Sequence, residues 1–345
     1  MKIISLALTF VVLLFCCASF AQEAATVKAE DKYSYLTALN YIDEVIRPLK
    51  QTLKENKIDL NFFAGVLQGF DNNVNLDPDR KKDGFLDASL NTEVAYNYTD
   101  DIRLKVENYT TSVLYYNVNS ANMFDFYNRA GLELDIFEDR VMVGADYVLD
   151  YVLFPNDKNG TYLGNEAKVF IKHKLTPDFY HKLGYKFLHK GYADDRTRGS
   201  NMEKTETTRT DDRNEIDYEV GLYLFNRLIL RTSIEFYKND SNYQYMDYYD
   251  YWSFKVRPSL MYSITKNLYT SASFSYQQRR YDDRLSSNND EHVQDNTYVF
   301  NTSILYDLSK SFTVAINYSY RENVSNDSLQ KYSGSIVTGG LYYSF

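Results

Sequence analysis

Leu86-Asp87-Ala88-Ser89-Leu90-Asn91-Thr92-Glu93-Val94-Ala95-Tyr96-Asn97-Tyr98 decides how this chain is read. Leu86, Ala88, Leu90, Thr92, Val94, Tyr96 and Tyr98 fall on one face of an extended segment, and Asp87, Ser89, Asn91, Glu93 and Asn97 fall on the other. Successive side chains of a strand point to opposite sides, so this is a strand with one face for an apolar medium and one for water. The same period of two returns at Phe124, Phe126, Ala130, Leu132 and Leu134, and again at Val141, Val143, Ala145, Tyr147, Leu149 and Tyr151. It recurs at Ile216, Tyr218, Val220, Leu222 and Leu224, and near the end at Phe312, Val314, Ile316, Tyr318 and Tyr320. Carried along the chain, it predicts about 14 strands, within 12–16, starting near residues 58, 85, 102, 124, 141, 162, 179, 214, 228, 249, 268, 296, 311 and 332.

The connections alternate in length. Thr99 to Asp101, Phe137 to Arg140, Thr176 to Asp178, Phe225 to Arg227, Thr265 to Asn267 and Asp307 to Lys310 are short and built from turn formers. Between them lie long polar segments: Asp71 to Gly84, Asn117 to Met123, Pro155 to Thr161, Gly191 to Arg213, Lys238 to Tyr248, Arg279 to Asp295 and Arg321 to Lys331. Short turns at one end and long loops at the other, with strands apolar on one side, describe an all-β chain folded as a transmembrane antiparallel up-and-down β-barrel. An even strand count puts both ends of the barrel on the short-turn side, which in such barrels faces the periplasm. No apolar run after residue 21 approaches the ~18 residues of a spanning helix, but a barrel strand shows lipid only every second residue. The 34 Tyr and 21 Phe against one Trp suit aromatic girdles at two membrane interfaces.

The N-terminus reads as an export signal over residues 1–21: Lys2, an apolar run from Ile3 to Phe15, then Ser19-Phe20-Ala21 before Gln22. Phe15 and Cys16 are too large to precede a lipidated cysteine, so Cys16 and Cys17 leave with the signal, and the mature chain has neither disulfide nor thiolate metal site. Removing Lys2 takes the formal charge from −9 to −10. An acidic chain is not drawn to nucleic acid, nor to a membrane surface by a polybasic patch.

Two motifs carry a resemblance. The chain ends Thr338-Gly339-Gly340-Leu341-Tyr342-Tyr343-Ser344-Phe345, which resembles the sorting signal of outer-membrane β-barrels: polar Thr338, Gly340, aromatic Tyr343, terminal aromatic Phe345. That resemblance implies outer-membrane lipid around the barrel and recognition by the barrel assembly machinery through the last strand. Gly69-Phe70-Asp71-Asn72-Asn73-Val74, followed by a polar loop and Phe85-Leu86-Asp87-Ala88-Ser89-Leu90, resembles the opening of the β-barrel porin 2 family. The resemblance covers roughly Ile58 to Phe345 in style and implies an association with exopolysaccharide export.

Residues 22–57 have a different period. Leu36, Leu39, Ile42, Ile46, Leu49 and Leu53 recur every three or four residues, predicting an amphipathic helix that Pro48 kinks or divides. Its apolar stripe needs cover, from the barrel as a plug or from a periplasmic partner. The barrel itself occupies 58–345.

Chemistry is sparse. His173, His181 and His189 are spread along a hairpin and do not gather round a metal, and His292 sits in an outer loop near Asp282, Asp283, Asp290 and Glu291. Omptin-type outer-membrane proteases use rim Asp and His residues, but nothing else here reproduces their arrangement, and no serine is marked as a nucleophile. Asn72-Asn73 and Asp77-Pro78-Asp79 lack the spacing of a calcium loop. The chain is therefore read as a non-enzyme with no cofactor and no metal.

The strongest constellation is electrostatic. The polar faces of the sixth and seventh strands carry Lys168, Lys172, Lys174, Lys182, Lys186 and Lys190, a basic wall inside the barrel. The acidic partners are Asp146 and Asp150 on the fifth strand and Glu215, Asp217 and Glu219 on the eighth. Arg103 and Lys105 face Asp125, Glu133 and Asp135 in the same way. Opposed charges across strands stabilise one another, and charged patches also set selectivity in pores; both roles stay open. The predicted function is a porin-like channel or export conduit for polar, anionic solutes or oligosaccharides. The alternative is a non-conducting structural or adhesion barrel that binds partners or glycans through loops rich in Tyr243, Tyr245, Tyr248 and Tyr249.

Overall fold

The computed structural model describes residues 57–345 except 138, 139, 226, 289 and 345. The signal at 1–21, nearly all of the 22–57 segment and Phe345 lie outside the described residues. The rest forms one closed antiparallel barrel in which each strand pairs with its neighbours in sequence and β1 pairs with β14. Its strands are β1 (Ile58–Asp71), β2 (Asp83–Asn97), β3 (Ile102–Tyr115), β4 (Met123–Ile136), β5 (Val141–Leu153), β6 (Tyr162–Thr176) and β7 (Phe179–Arg198). The circuit continues with β8 (Lys204–Leu224), β9 (Leu228–Ser241), β10 (Tyr251–Ser263), β11 (Leu268–Leu285), β12 (His292–Asp307), β13 (Phe312–Ser325) and β14 (Tyr332–Ser344). Closure leaves no unpaired edge. No helix among the described residues is long and apolar enough to cross a membrane.

The outward face is apolar and bare. Ile304 and Ile316 are 54% and 59% exposed, and Val66, Val106, Val169 and Leu132 are also exposed. A belt of large exposed aliphatics suits a lipid environment and would aggregate in water. On β13 the outward stripe runs from Phe312 to Tyr320, close to the ~9–11 residues a tilted strand needs to cross a bilayer. Tyrosine hydroxyls on this outer face are capped by the next strand: Tyr147 donates to Asn165 Oδ1 at 2.7 Å and Tyr185 to Asn214 Oδ1 at 2.7 Å.

Three short turns share one device. The hydroxyls of Thr99, Thr265 and Ser309 each accept from the backbone N–H two and three residues on, at 3.0–3.3 Å. That local hydrogen bonding is why Ser and Thr favour turns.

At the loop end the strands run further than the sequence pattern predicts. Gly191 to Arg213, read as a loop, is mostly strand: β7 reaches Arg198 and β8 starts at Lys204. Arg279 to Asp295 likewise belongs largely to β11 and β12. Above the membrane a hairpin can be polar on both faces, so the period of two that marks a membrane strand disappears. Register slips between Gly191 and Arg196 and between Arg196 and Arg198 accompany this extension.

The seam between β1 and β14 runs from Phe63↔Ser344 to Asp71↔Ile336. Gly340 is required there, because a Cβ at this position would lie 2.1 Å from the Val66 carbonyl oxygen. At the loop end the seam is fastened by the Asp71-Asn72-Asn73 motif. Asp71, wholly buried, accepts from Arg321 Nη2 at 2.6 Å, the Tyr115 hydroxyl at 3.3 Å and the Asn73 N–H at 2.8 Å. Asn72 extends the ladder: its N–H donates to Ser335 O at 3.1 Å and its Oδ1 accepts from Ser335 N at 2.7 Å. Asn73 Nδ2 donates to Ser333 O at 3.0 Å.

Candidate functional site: the polar lumen

Register places Lys168, Lys172 and Lys174 of β6 and Lys182, Lys186 and Lys190 of β7 on one face. Lys168 stands directly across from Lys186, and Lys172 from Lys182. Like charges in that position repel, and the wall answers in two ways. Two lysines meet carboxylates: Lys168 Nζ lies 2.9 Å from Asp217 Oδ1, and Lys186 is paired with Glu215. Three others lie over aromatic rings. Lys172 Nζ is 4.1 Å from the Tyr180 centroid, Lys182 is 3.8 Å from Phe170, and Lys190 is 4.1 Å from Tyr162. A ring face attracts a cation through its quadrupole and keeps it in place without cancelling its charge. Lys174 makes no ion pair among the described residues.

The Lys168–Asp217 bridge joins β6 to β8 across β7, and Gly184 makes it possible. A Cβ on Gly184 would lie 2.5 Å from Asp217 Oδ1 and 2.9 Å from Lys168 Cε. The missing side chain is the passage through which the pair meets.

The five acidic residues divide likewise. Only Glu215 and Asp217 meet lysines of the wall. Asp146, although in register with Lys168, accepts from Arg129 Nη2 at 3.0 Å. Asp150 accepts from the Tyr162 hydroxyl at 3.0 Å and Glu219 from the Tyr180 hydroxyl at 2.7 Å. Those tyrosines are the ones beneath Lys190 and Lys172, so each ring serves a carboxylate at its edge and an ammonium on its face. On the neighbouring strands Lys105 Nζ sits 2.7 Å from Glu133, and Arg129 also reaches Glu107 at 3.6 Å.

These groups stay in contact with water. The side chains of Arg129, Glu107 and Lys255 keep 27%, 25% and 25% of their exposure although all three face inward. Across the barrel, below Arg279, Asp295 and Arg321, β11 to β13 present uncharged polar side chains that include Ser271, Ser273, Asn301, Ser303, Asn317 and Ser319. Thr338 faces the same space and accepts from Asn317 Nδ2 at 3.0 Å. Tyr343 points the other way, between Phe62 at 6.2 Å and Phe312 at 5.2 Å.

The histidines fall outside the lumen. His173 and His181 meet on the outer face at 3.1 Å, and His189 contacts Asp212 at 2.7 Å. Among the described residues no group of three or more His, Cys, Asp or Glu side chains converges as a metal site.

Sequence reading missed a second cationic sector, on β8 to β11. Arg213 Cζ stacks 4.2 Å from the Tyr237 ring and its Nη2 is 3.3 Å from the Tyr251 hydroxyl. Arg279 Cζ lies 5.6 Å from the Tyr251 ring and its Nη2 donates to Gln277 Oε1 at 3.3 Å. Gln277 in turn donates to the Tyr237 hydroxyl at 2.7 Å and Ser253 Oγ at 3.0 Å. The available signal was the inward parity of these arginines, which Ser253↔Tyr237 and Ser253↔Arg279 make explicit.

Solved structures supply a counterpart for this architecture. Outer-membrane expressed OmpT of Vibrio cholerae matches over 84% of this chain and 98% of its own, at 10% identity and a TM-score of 0.50. The chain folds as an outer-membrane β-barrel. At that identity the likeness speaks for the fold alone. An anion-selective porin from Comamonas acidovorans aligns over 84% of this chain and 99% of its own, at 10% identity and a TM-score of 0.48, and adds nothing to the fold assignment. No protein-family model and no curated protein matches the chain.

Proposed function

We propose that this barrel is a channel or export conduit for polar solutes, anionic oligosaccharides among them. The observation that carries the reading is the inward face, which carries polar side chains on every strand and charged ones that keep contact with water. Eight-stranded barrels fill their interiors with side chains, whereas barrels of ~16–18 strands leave aqueous channels. A fourteen-stranded circuit stands near the second group. In this reading residues 1–21 direct export, the short turns face the periplasm and the assembly machinery reads the C-terminal motif Thr338, Gly340, Tyr343 and Phe345. Residues 22–57 act as a plug or periplasmic docking segment, and the resemblance of the Asp71-Asn72-Asn73 motif points to exopolysaccharide export.

The adhesion alternative rests on the loop tyrosines, and their packing disfavours it. Tyr243, Tyr248 and Tyr249 pack edge to face at 5.0–5.1 Å in the Tyr243–Tyr249 and Tyr248–Tyr249 pairs. Tyr249 covers Arg209 at 3.3 Å and Tyr248 covers Arg284 at 3.9 Å. They tie a loop to the barrel wall and do not form an open platform for a glycan.

The test is single-channel recording of the mature protein in planar bilayers, with and without residues 22–57. Steady conductance in either form supports a conduit, and conductance only after deletion makes the segment a plug. Silence in both rejects the channel.

A further inference from the structure

Arg103, Arg129, Arg209, Arg284 and Arg321 each meet a carboxylate within 4.0 Å. Arg213 and Arg279 form no ion pair among the described residues, although both face the lumen and are half-buried. Their contacts are neutral: Tyr237, Tyr251 and Gln277. Asp295 stands across from Arg279 in register without reaching ion-pair distance. Lower on the same quarter, Arg231 and Arg257 also face inward with no ion pair among the described residues.

Leaving guanidinium groups partly desolvated without a counter-charge is costly, so the arrangement needs a use. The groups are also held, since Tyr237 is 4% exposed, Ser253 is 1% exposed and Gln277 bonds to both. Immobilised guanidinium groups with no ion-pair partner suit the planar, two-oxygen geometry of a carboxylate.

We infer that Arg213 and Arg279, braced by Tyr237, Tyr251 and Gln277, form a lumenal binding site for a carboxylate-bearing solute of the acidic-sugar class. The inference deepens the conduit reading and rests on it. It also moves the anion path from the lysine wall, where Lys168 and Lys186 are already neutralised, to β8–β11.

Trigalacturonate and the uncharged maltotriose are the probes, titrated calorimetrically into the detergent-solubilised mature barrel and added to bilayer recordings. The site predicts saturable binding of trigalacturonate and none of maltotriose. R213Q/R279Q should weaken that binding by about tenfold or more, the loss expected of hydrogen bonds to charged groups. R213K/R279K keeps both charges but loses the fork, so it should keep any anion preference in salt gradients while still binding trigalacturonate poorly. Heat-shifted gel mobility confirms that each variant is folded. No binding of trigalacturonate, or equal binding by wild type and R213Q/R279Q, overturns the site. Binding that R213Q/R279Q abolishes, in a barrel silent in bilayers, keeps the site and rejects the channel.

Discussion

Asp71→Ala tests whether the Asp71-Asn72-Asn73 motif fastens the barrel seam. The wild-type carboxylate is fully buried and takes three donors: Arg321, Tyr115 and the Asn73 N–H. Alanine removes their shared acceptor at once and leaves Arg321 only a 3.4 Å hydrogen bond to the Asn73 carbonyl. Removing one partner of a buried ion pair costs ~3–5 kcal/mol. The Arg321 side chain keeps 23% exposure, so lumen water recovers part of its loss and the low end, ~3 kcal/mol, applies. The damage is local, because the seam continues down to Phe63↔Ser344. Each 1.4 kcal/mol is about tenfold in population, so the loop end of the seam should open about a hundredfold more often. Hydrogen exchange reads this directly at the Asn72 and Ser335 amides, which bond to each other's residues across the seam. Both should exchange about a hundredfold faster, while amides near Ser344 change little. Unchanged exchange at Asn72 and Ser335 refutes the fastening role.

Three further outcomes follow from single sites. Gly184→Ala puts a Cβ against Asp217 and Lys168, breaking their bridge; it should cost ~1–3 kcal/mol as an overpacked site, read as a lower temperature for loss of the compact gel form, and an unchanged midpoint contradicts the passage. Burial pushes the loop carboxyl of Asp250 up to about 6, with Asp247, Asp240 and Asp282 adding to it and the Ser241 N–H opposing. The folded loop therefore holds this proton more tightly than the unfolded chain, and loop stability is lost as pH rises between the ordinary 3.8 and about 6. Asp250→Asn should slow proteolysis of the 242–250 loop above that window and leave it unchanged below; equal rates at all pH values reject the assignment. Tyr343→Ala removes the ring between Phe62 and Phe312 and should lower the fraction of chain assembled in outer membranes, measured by heat-shifted mobility; full assembly would show that the ring is dispensable.

Strand positions were legible because lipid on one side and water on the other enforce a period of two, and because Thr99, Thr265 and Ser309 mark their own turns. The pattern failed over 191–213 for the same reason: beyond the lipid no medium imposes alternation, so a polar hairpin looks like a loop. The facing of charges was legible and their partners were not. Parity puts Lys168 in the lumen, but register offers it Asp146 on one side and Lys186 on the other. Its actual partner, Asp217, sits two strands away and is reached only because position 184 has no side chain. Likewise nothing in residue order tells that Tyr162 and Tyr180 lie flat beneath lysines, since ring orientation is set by neighbours on three strands.

Compensation, more than charge count, distinguishes the two basic sectors. In the β6–β7 wall Lys168 and Lys186 are matched by Asp217 and Glu215, while Asp150 and Glu219 are held by the Tyr162 and Tyr180 rings beneath Lys190 and Lys172. A passing anion would have to compete at Lys168 and Lys186 with carboxylates already fixed there. At Arg213 and Arg279 the hydrogen-bond partners are a hydroxyl and an amide, which orient the guanidinium groups, and Asp295 across from Arg279 stays outside ion-pair distance. The field that an anion meets is therefore set on the quieter side of the barrel, and neutralising Lys182, Lys186 and Lys190 should alter ion selectivity less than neutralising the two arginines. A larger change from the lysines, in the same salt gradient, would reverse that ranking and return the anion path to β6 and β7.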